Sequence, residues 1–233
     1  MMYMRTVDMF ALLIARLRRQ RRVVLRPVDG LVKVNLGCGL TIADGWVNVD
    51  VGLNALVARW PRAVLRLVHR RSGFRELLTA AEFADVLRSH DFCHHDLAHG
   101  LPFPDDSTDY VYSSHFLEHL YTEHAPHFIS EIHRVLKPGG TVRICVPDLE
   151  IAFDWYRQGE KRKALRQFYQ PVAWGHVAQH RYLYDFDMLQ GLLERAGFVQ
   201  IVRCSCCEGT TPDLDTLDVR PEETLYVEAR KSI

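Results

Sequence analysis

The 233-residue sequence contains no apolar run long enough to cross a bilayer. The apolar stretch near its start, residues 9–15, is well below the roughly 20 residues that a transmembrane helix requires. The arginines around this stretch mostly follow it, whereas a secretory signal carries its positive charges first. These absences argue against a membrane-spanning or secreted protein, and we expect a cytoplasmic one.

The six cysteines show no paired spacing: they are scattered over the chain, and one close group, residues 204–207, is predicted to lie on a strand. A chain of this size does not need disulfides for stability, so reduced and buried thiols are expected. No second pair of ligands has the spacing of a zinc site. His94 and His95, as neighbours on a predicted strand, point to opposite faces. No metal site is therefore predicted.

Net charge is also absent, but the 29 basic and 29 acidic residues are distributed unevenly along the chain. Residues 1–90 carry 15 Lys and Arg against 7 Asp and Glu, and the rest of the chain carries 14 against 22. Residues 1–30 read as a basic, amphipathic helix that packs on the domain; peripheral contact with anionic lipid is the open alternative. No recognised nucleic-acid-binding module accompanies the basic residues, so nucleic acid is not an expected partner.

From residue 31 onward, short apolar runs alternate with segments of helical periodicity. This alternation predicts an α/β fold with a doubly wound, mostly parallel sheet and helices on both faces. We assign one domain to residues 31–233, with a helical insertion at about 53–90 and a substrate-side segment at about 157–184. Strands are predicted at 32–36, 46–50, 91–97, 109–113, 141–146, 199–202 and 225–229, and helices at 74–87, 122–136, 149–156 and after Asp185.

The stretch 32–50 joins two predicted strands through a glycine turn, Gly37-Cys38-Gly39, and ends on Asp50. Glycines at such a turn let backbone N–H groups approach a ligand closely, because no Cβ stands in the way. An acid at the tip of the second strand accepts both hydrogen bonds of a ribose diol. We therefore predict a site for the adenosine part of a cofactor. The third glycine of a dinucleotide motif is replaced by Ile42, which disfavours NAD without excluding it.

Five glycine or polar positions stand at the ends of successive predicted strands. They are Gly37, Asp50, Asp96, Ser114 and Asp148. The carboxyl ends of parallel strands meet at one edge of the sheet, and ligands bind there close to the point where the strand order reverses. The convergence of five such positions on one edge is a stronger signal than any one motif.

Several motifs resemble those of class I S-adenosyl-L-methionine-dependent methyltransferases, in particular the type 11 subgroup. They are Val34-Asn-Leu-Gly-Cys-Gly39, Asn48-Val-Asp50, His95-Asp-Leu97, Leu101-Pro-Phe-Pro-Asp-Asp-Ser-Thr-Asp-Tyr-Val-Tyr-Ser-Ser-His-Phe-Leu-Glu-His119, Arg134-Val-Leu-Lys-Pro-Gly-Gly140 and Val146-Pro-Asp148. The resemblance covers residues 31–150 well. It implies a Rossmann-like fold with a seven-stranded sheet, an antiparallel last strand, and S-adenosyl-L-methionine as the cofactor.

The resemblance also implies contacts to the nucleoside part of the cofactor. Asp50 would hold the ribose hydroxyls, and Val51 would lie against the adenine ring. Asp96 would accept a hydrogen bond from the adenine amino group, and the Leu97 backbone would meet a ring nitrogen. These four residues form the predicted nucleoside half of the site.

Contacts to the methionine part follow from the same resemblance. Residues Leu36 to Gly39 would pass under the amino-acid moiety, and Ser114 and His115 would lie close to the sulfonium. The family usually has an acid where this chain has Asn35. Asn35 stands at a cofactor-binding position, and we expect the charged contact to the cofactor's amino group to be missing there or mediated by water.

Methyl transfer from a sulfonium to oxygen or nitrogen releases a proton, so a general base assists it. The candidates are His115 at the end of the fourth strand, Asp148 at the end of the fifth, and His180 in the substrate-side segment. Asp148 is equally suited to cap the helix that follows it. Glu118 and His119 are expected to brace the cofactor loop and not to act directly.

The acceptor is expected to be a small molecule methylated on O or N, and the resemblance implies a sugar or glycan precursor as the more specific prediction. Its binding residues are predicted in the substrate-side segment: Trp174, His176, His180, Arg181 and Tyr184. The aromatic rings can stack on a sugar or an aromatic acceptor, although they are equally suited to a core. Two alternatives stay open: a non-catalytic cofactor-binding or membrane-recruited module, and an NAD(P)-linked oxidoreductase.

Overall fold

A seven-stranded sheet runs through the part of the chain that the computed structural model describes: residues 11–17, 23–70, 72, 75, 77–169 and 179–233. Each strand lies within a few residues of a predicted one. The strands are β1 (Lys33–Leu36), β2 (Trp46–Asp50), β3 (Asp91–His94), β4 (Thr108–Ser114), β5 (Leu136–Pro147), β6 (Phe198–Cys204) and β7 (Thr224–Lys231).

Helices connect these strands and cover the sheet. They are α1 (residues 11–17), α2 (Leu53–Val57), α3 (Arg62–His69), α4 (Ala80–Ser89), α5 (Ala125–Val135), α6 (Leu149–Arg157), α7 (Lys161–Phe168), α8 (Phe186–Arg195) and α9 (Leu214–Leu217), with 3-10 turns at Leu97–His99 and Leu117–His119. α6 and α8 begin after Asp148 and Asp185, whose carboxylates accept hydrogen bonds from N–H groups of the first turn.

Two predicted boundaries are wrong for local reasons. The helix predicted from residue 74 begins at Ala80, because Thr79 and Glu82 form a capping box that fixes the start of α4. The strand predicted over residues 204–207 ends at Cys204. Beyond it the chain turns, since Cys207 has φ +61° and its N–H donates to Asp218 Oδ2 at 2.8 Å.

The strand order is β3-β2-β1-β4-β5-β7-β6. β1 pairs in parallel with both β2 and β4, so the order reverses at β1 and the carboxyl ends of β1, β2, β4 and β5 lie at one edge. β7 pairs antiparallel with both β5 and β6. The predicted fold, a mostly parallel seven-stranded sheet with an antiparallel last strand, is confirmed.

The main core lies between the sheet and the apolar faces of α5 and α8. Ile129 and Ile132 of α5 and Leu193 of α8 are fully buried, as are the strand residues Val34 and Val142 in the same cluster. Apolar residues at helical spacing on α5 therefore face the sheet, as the periodicity predicts. This packing fixes the strand ends on which the candidate site is built.

α1 presents two different faces. Ala11 and Ala15 are buried, whereas Leu13 and Leu17 are exposed. Residues 18–22, which include most of the predicted arginine cluster, lie outside the described residues, so lipid contact and a cytoplasmic location stay predictions. Within the described residues, no helix has the length and hydropathy to span a membrane.

Candidate active site

The glycine turn directly follows β1. Gly37 and Gly39 have φ values of +70° and +53°, a region that residues with a Cβ rarely adopt. The N–H groups of Gly37 and Cys38 donate to Val49 O of β2 at 2.9 and 3.3 Å. The turn is thus held against β2 by backbone hydrogen bonds, and its conformation requires the glycines that the sequence supplies.

Asp50 is the last residue of β2, and its carboxylate also holds the glycine turn. Its Oδ2 accepts from Gly39 N at 2.9 Å, and its Oδ1 accepts from Gly52 N at 2.6 Å. A carboxylate oxygen accepts more than one hydrogen bond, so both oxygens keep capacity for the hydroxyls of a ribose. The residue predicted to bind the cofactor therefore also orders the glycine turn.

The Asn35 side chain hydrogen-bonds within the protein, a role that the sequence did not indicate. Its side chain is buried, and Nδ2 donates to Thr41 O at 2.8 Å and to Asn48 Oδ1 at 3.1 Å. An aspartate cannot donate either bond, so the asparagine is the residue type that this arrangement needs. Asn35 stabilises the chain between β1 and β2 through its amide, and its predicted contact with the cofactor stays a prediction.

The turn has open space on one side only. A Cβ added to Gly39 would meet nothing within 4 Å, whereas a Cβ on Gly37 would lie 2.7 Å from Phe116. The Asp50 carboxylate is bound to the same glycine, because it accepts a hydrogen bond from Gly39 N. An adenosine-type cofactor fits such a cradle, because it offers hydroxyls to the acid and tolerates close approach to the backbone.

The predicted adenine end lies after β3. Asp96 Oδ1 accepts from Ala98 N at 3.1 Å and so begins the 3-10 turn Leu97–His99. His94 Nε2 lies 2.9 Å from Val51 O, which ties the end of β3 to the end of β2. Asp50, Val51, Asp96 and Leu97 therefore follow neighbouring strands, as predicted. Their contacts with adenine stay predictions.

The predicted methionine end is formed where β4 ends. Ser114 is the last residue of β4, and His115 follows with φ +51°, an uncommon conformation for a side chain of this size. His115 N donates to Cys145 O of β5 at 2.9 Å, and its Nε2 lies 3.0 Å from Thr224 Oγ1 of β7. His115 is thus held between three strand ends, beside Phe116, which packs on the glycine turn.

Glu118 is the centre of a histidine cluster next to this strand end. Its side chain is fully buried, and its Oε1 lies 3.3 Å from His115 Nδ1 and 3.8 Å from Nε2 of both His119 and His180. Burial by itself raises the pKa of Glu118, but the nearby His115, together with His119 and His180, outweighs it and brings the pKa below its ordinary value. The three histidines therefore favour the ionised form of Glu118.

Two predicted catalytic residues, His115 and His180, thus meet at one buried carboxylate, although they lie far apart in the sequence. The third candidate, Asp148, is engaged elsewhere. Its carboxylate caps α6 through Glu150 N at 2.8 Å and pairs with Arg203 at 2.6 Å. Burial raises the pKa of Asp148. These contacts fit the helix-capping alternative, and a catalytic role for Asp148 stays an untested prediction.

The substrate-side residues separate into three groups. Trp174 and His176 lie outside the described residues. Tyr184 is buried in the main core, consistent with the packing alternative. His180 and Arg181 line a cavity of about 380 Å³ between α6 and α8, and its other lining residues are Leu149, Phe153, Phe168, Tyr182, Leu183 and Met188.

Sequence reasoning underrated Glu118 and missed the apolar part of this cavity. The spacing His115-x-x-Glu118-His119 was a usable signal, because it follows a strand end directly and contains three groups with donor atoms. No comparable signal marks Phe153, Phe168 or Met188. Those apolar residues face the cavity only through packing that a linear pattern does not contain.

Replacing either glycine of the turn by alanine separates its two roles. Both variants take on the strain of positive φ, on the order of 1–2 kcal/mol. G37A also brings its Cβ against Phe116, so its melting temperature should fall further than that of G39A. G39A instead fills the open side and should mainly weaken binding of S-adenosylhomocysteine. Thermal unfolding and calorimetric titration measure both effects, and equal melting temperatures would contradict the assignment of the two faces.

A family model described as a methyltransferase domain matches residues 50–144, which reach from the end of β2 into β5. That range includes Asp50, Asp96, Ser114, His115 and Glu118. No curated protein matches the sequence. The family match therefore covers the strand ends on which most of the candidate site lies.

Solved structures show the same fold at low sequence identity. A SAM-dependent methyltransferase from Thermotoga maritima aligns with a TM-score of 0.52 and 16% identity, over 97% of this chain and 89% of that chain. The SAM-dependent methyltransferase SibL, in its apo form, aligns with a TM-score of 0.51 and 16% identity, over 87% of this chain and 51% of that chain. At this identity the likeness supports the fold and not the substrate.

Proposed function

We propose that this chain, a class I S-adenosyl-L-methionine-dependent methyltransferase, methylates an oxygen or nitrogen atom of a small molecule. The enzyme class and the cofactor follow from the fold and from the family match over residues 50–144. When bound, the cofactor supplies an already activated methyl group. The protein then has to bind the acceptor, orient it, exclude water and remove a proton.

The pairing of His115 with Glu118 carries the proposal. An ionised carboxylate favours an N–H on the nitrogen that faces it, so Glu118 places the proton of neutral His115 on Nδ1. The Thr224 hydroxyl donates its own proton to Arg220 O at 2.9 Å and therefore accepts at 3.0 Å from an Nε2–H, so Nε2 has its electron pair free only when His115 leaves this contact. When the His115 ring turns from Thr224 toward the methyl acceptor, Nε2 takes the proton that the acceptor's oxygen or nitrogen loses. Glu118 then stabilises the imidazolium that results.

A proton acceptor at this position favours oxygen or nitrogen acceptors, because both lose a proton when they are methylated. The cavity beside His180 has the size of small-molecule sites and combines apolar walls with Arg181 and Tyr182. Aromatic and cationic groups of this kind suit a hydroxylated or anionic ring. A sugar or glycan precursor is the finer proposal, supported by these side chains and by the resemblance of the sequence.

The test is a turnover assay that measures S-adenosylhomocysteine released from S-adenosylmethionine over a panel of small hydroxylated and amino compounds, including sugars and nucleotide sugars. With the best acceptor, His115→Asn should lower kcat by about 100-fold or more, in the range of general-base catalysis. Cofactor affinity should change far less. The control is His127→Ala, which replaces an exposed histidine on α5 and should leave kcat unchanged.

Each outcome of that assay decides something. Turnover with a hydroxyl or amine acceptor and a kcat loss in His115→Asn supports the proposal. Methylation confined to carbon acceptors, or full kcat in the variant, contradicts the role of His115. Cofactor binding without turnover on any acceptor would favour the alternative of a non-catalytic module.

A further inference from the structure

The groups that surround the Glu118 carboxylate in the described part of the chain are histidine side chains. Its side chain is fully buried, and in the described part of the chain neither of its oxygens has a hydrogen bond of normal geometry. Among the same residues, no lysine or arginine forms an ion pair with it, and the neighbours of Oε1 are histidine nitrogens. A buried carboxylate surrounded by imidazole nitrogens is a set of groups that a bound cation stabilises.

Two of these histidines present the nitrogen that a metal ion binds. His119 Nδ1 lies 3.1 Å from Gln179 O, and His180 Nδ1 lies 2.6 Å from Gln167 O. A carbonyl only accepts hydrogen bonds, so each Nδ1 carries the proton and the electron pair of neutral imidazole stays on Nε2. Both Nε2 atoms face Glu118 Oε1 at 3.8 Å. Metal-binding histidines characteristically bond their second nitrogen to a carbonyl in this way.

The backbone holds these groups in place. Arg181 N donates to Glu118 O at 2.7 Å, and Tyr182 N donates to the same oxygen at 3.3 Å. The 3-10 turn that carries Glu118 and His119 is thereby fixed to the segment that carries His180. A site held by its own backbone loses little conformational entropy when a ligand binds.

We propose that Glu118 Oε1, His119 Nε2 and His180 Nε2 bind one divalent transition-metal ion of the zinc class. Two imidazoles and one carboxylate are the protein ligands of a known type of zinc site that keeps a coordination position open. The three donor atoms lie within 4.8 Å of one another. Tetrahedral bonds of zinc length place ligand atoms about 3.3 Å apart, so each histidine nitrogen, now 3.8 Å from Oε1, has to move about 0.5 Å closer to it.

A second group of potential ligands, Cys206, Cys207 and Asp218, is a poorer candidate. Both oxygens of Asp218 already accept hydrogen bonds, from Arg143 and Tyr112 among others. The guanidinium of Arg143 also supplies the positive charge that a metal would bring. At Glu118 no arginine or lysine of the described residues supplies that charge, and this distinguishes the two groups.

The metal site does not depend on the acceptor proposed above. It assigns His180 to the ion and leaves His115 as the proton acceptor. His180 also lines the apolar cavity, so the ion would lie close to the proposed acceptor site. An oxygen of the acceptor is the chemical group that fits an open position on zinc.

The test uses the full chain, freed of metal with a chelator and then titrated with Co²⁺ and Zn²⁺. One equivalent of Co²⁺ should bind with visible absorption of low-coordinate cobalt and without a thiolate charge-transfer band. His119→Ala and His180→Ala should each weaken Zn²⁺ binding by more than the roughly 10- to 100-fold that outer-shell changes cost. His127→Ala should leave it unchanged.

Absence of one-equivalent binding, unchanged affinity in both histidine variants, or a thiolate band would overturn the proposal. X-ray absorption of the zinc-loaded wild type gives a decision even where the variants do not fold. It should show nitrogen and oxygen ligands with two imidazoles, and sulfur in the ligand shell would contradict the site. These experiments measure metal binding itself, so their result does not depend on whether the variants still transfer a methyl group.

Discussion

Replacing Asp50 by alanine should lower the affinity for S-adenosylhomocysteine by at least about 100-fold. The carboxylate is expected to accept two hydrogen bonds from the ribose, and bonds to charged groups are worth roughly 1.5–3 kcal/mol each. The same change removes the acceptors of Gly39 N and Gly52 N, so the glycine turn also loses its anchor. Both effects act on the nucleoside half of the site.

The control for this prediction is Asp44→Ala. Asp44 lies on the connection between β1 and β2, and its side chain is fully exposed. Calorimetric titration with S-adenosylhomocysteine should give wild-type affinity for this variant and no measurable saturation for Asp50→Ala at the same concentrations. Similar affinities for the two variants would show that Asp50 does not hold the ribose.

Replacing Arg143 by methionine should cause the largest loss of stability, about 3–5 kcal/mol in the free energy of unfolding. The side chain is fully buried in β5, where Nη2 pairs with Asp218 Oδ2 at 2.5 Å and Nη1 with Glu228 Oε1 at 3.3 Å. Nη1 and Nη2 also donate to the carbonyl oxygens of Glu208 and Ser205. Methionine leaves two buried carboxylates without their cation.

Chemical denaturation measures this loss, and Arg157→Met is the matched control. Arg157 forms an exposed pair with Asp154 at 3.0 Å, so its replacement should cost less than about 1 kcal/mol. Equal losses in the two variants would contradict the buried network.

The same network gives the stability a pH dependence. Burial raises the pKa of Glu228, but hydrogen bonds from Thr210 and Thr211 outweigh it, so the pKa lies below its ordinary value. A lowered carboxylate pKa means that its contribution is complete above the ordinary value of about 4.3 and is lost as the pH falls through the lowered one. Wild-type stability should therefore decline below about pH 4.3, and Glu228→Gln should flatten that decline.

Most of the fold was predictable because its signals are local. Alternating apolar residues predict β1 and β4, and Asp148 and Asp185 mark the helix starts that the structure has. The start of α4 was missed because a capping box at Thr79 overrides the apolar pattern before it. Local hydrogen bonds of this kind move a boundary without changing the fold.

The sequence predicts those site residues that stand at strand ends. It does not predict the contacts between residues that are far apart in the sequence. Asp50 and His115 were identified because parallel strands bring their carboxyl ends to one edge. Asp148 pairs with Arg203, and Glu118 meets His180, only through the three-dimensional arrangement. The sequence shows only that Asn35 replaces an acid, whereas the structure shows the two hydrogen bonds that its amide donates.

The central claim is that the cofactor binds over the glycine turn at the carboxyl edge of the sheet. A crystal structure of the full chain with S-adenosylhomocysteine tests it most directly. The account predicts the ribose hydroxyls on Asp50, the adenine beside Asp96 and the sulfur next to Ser114 and His115. A nucleoside bound anywhere else on the protein, with Asp50 still holding only the turn, would contradict it.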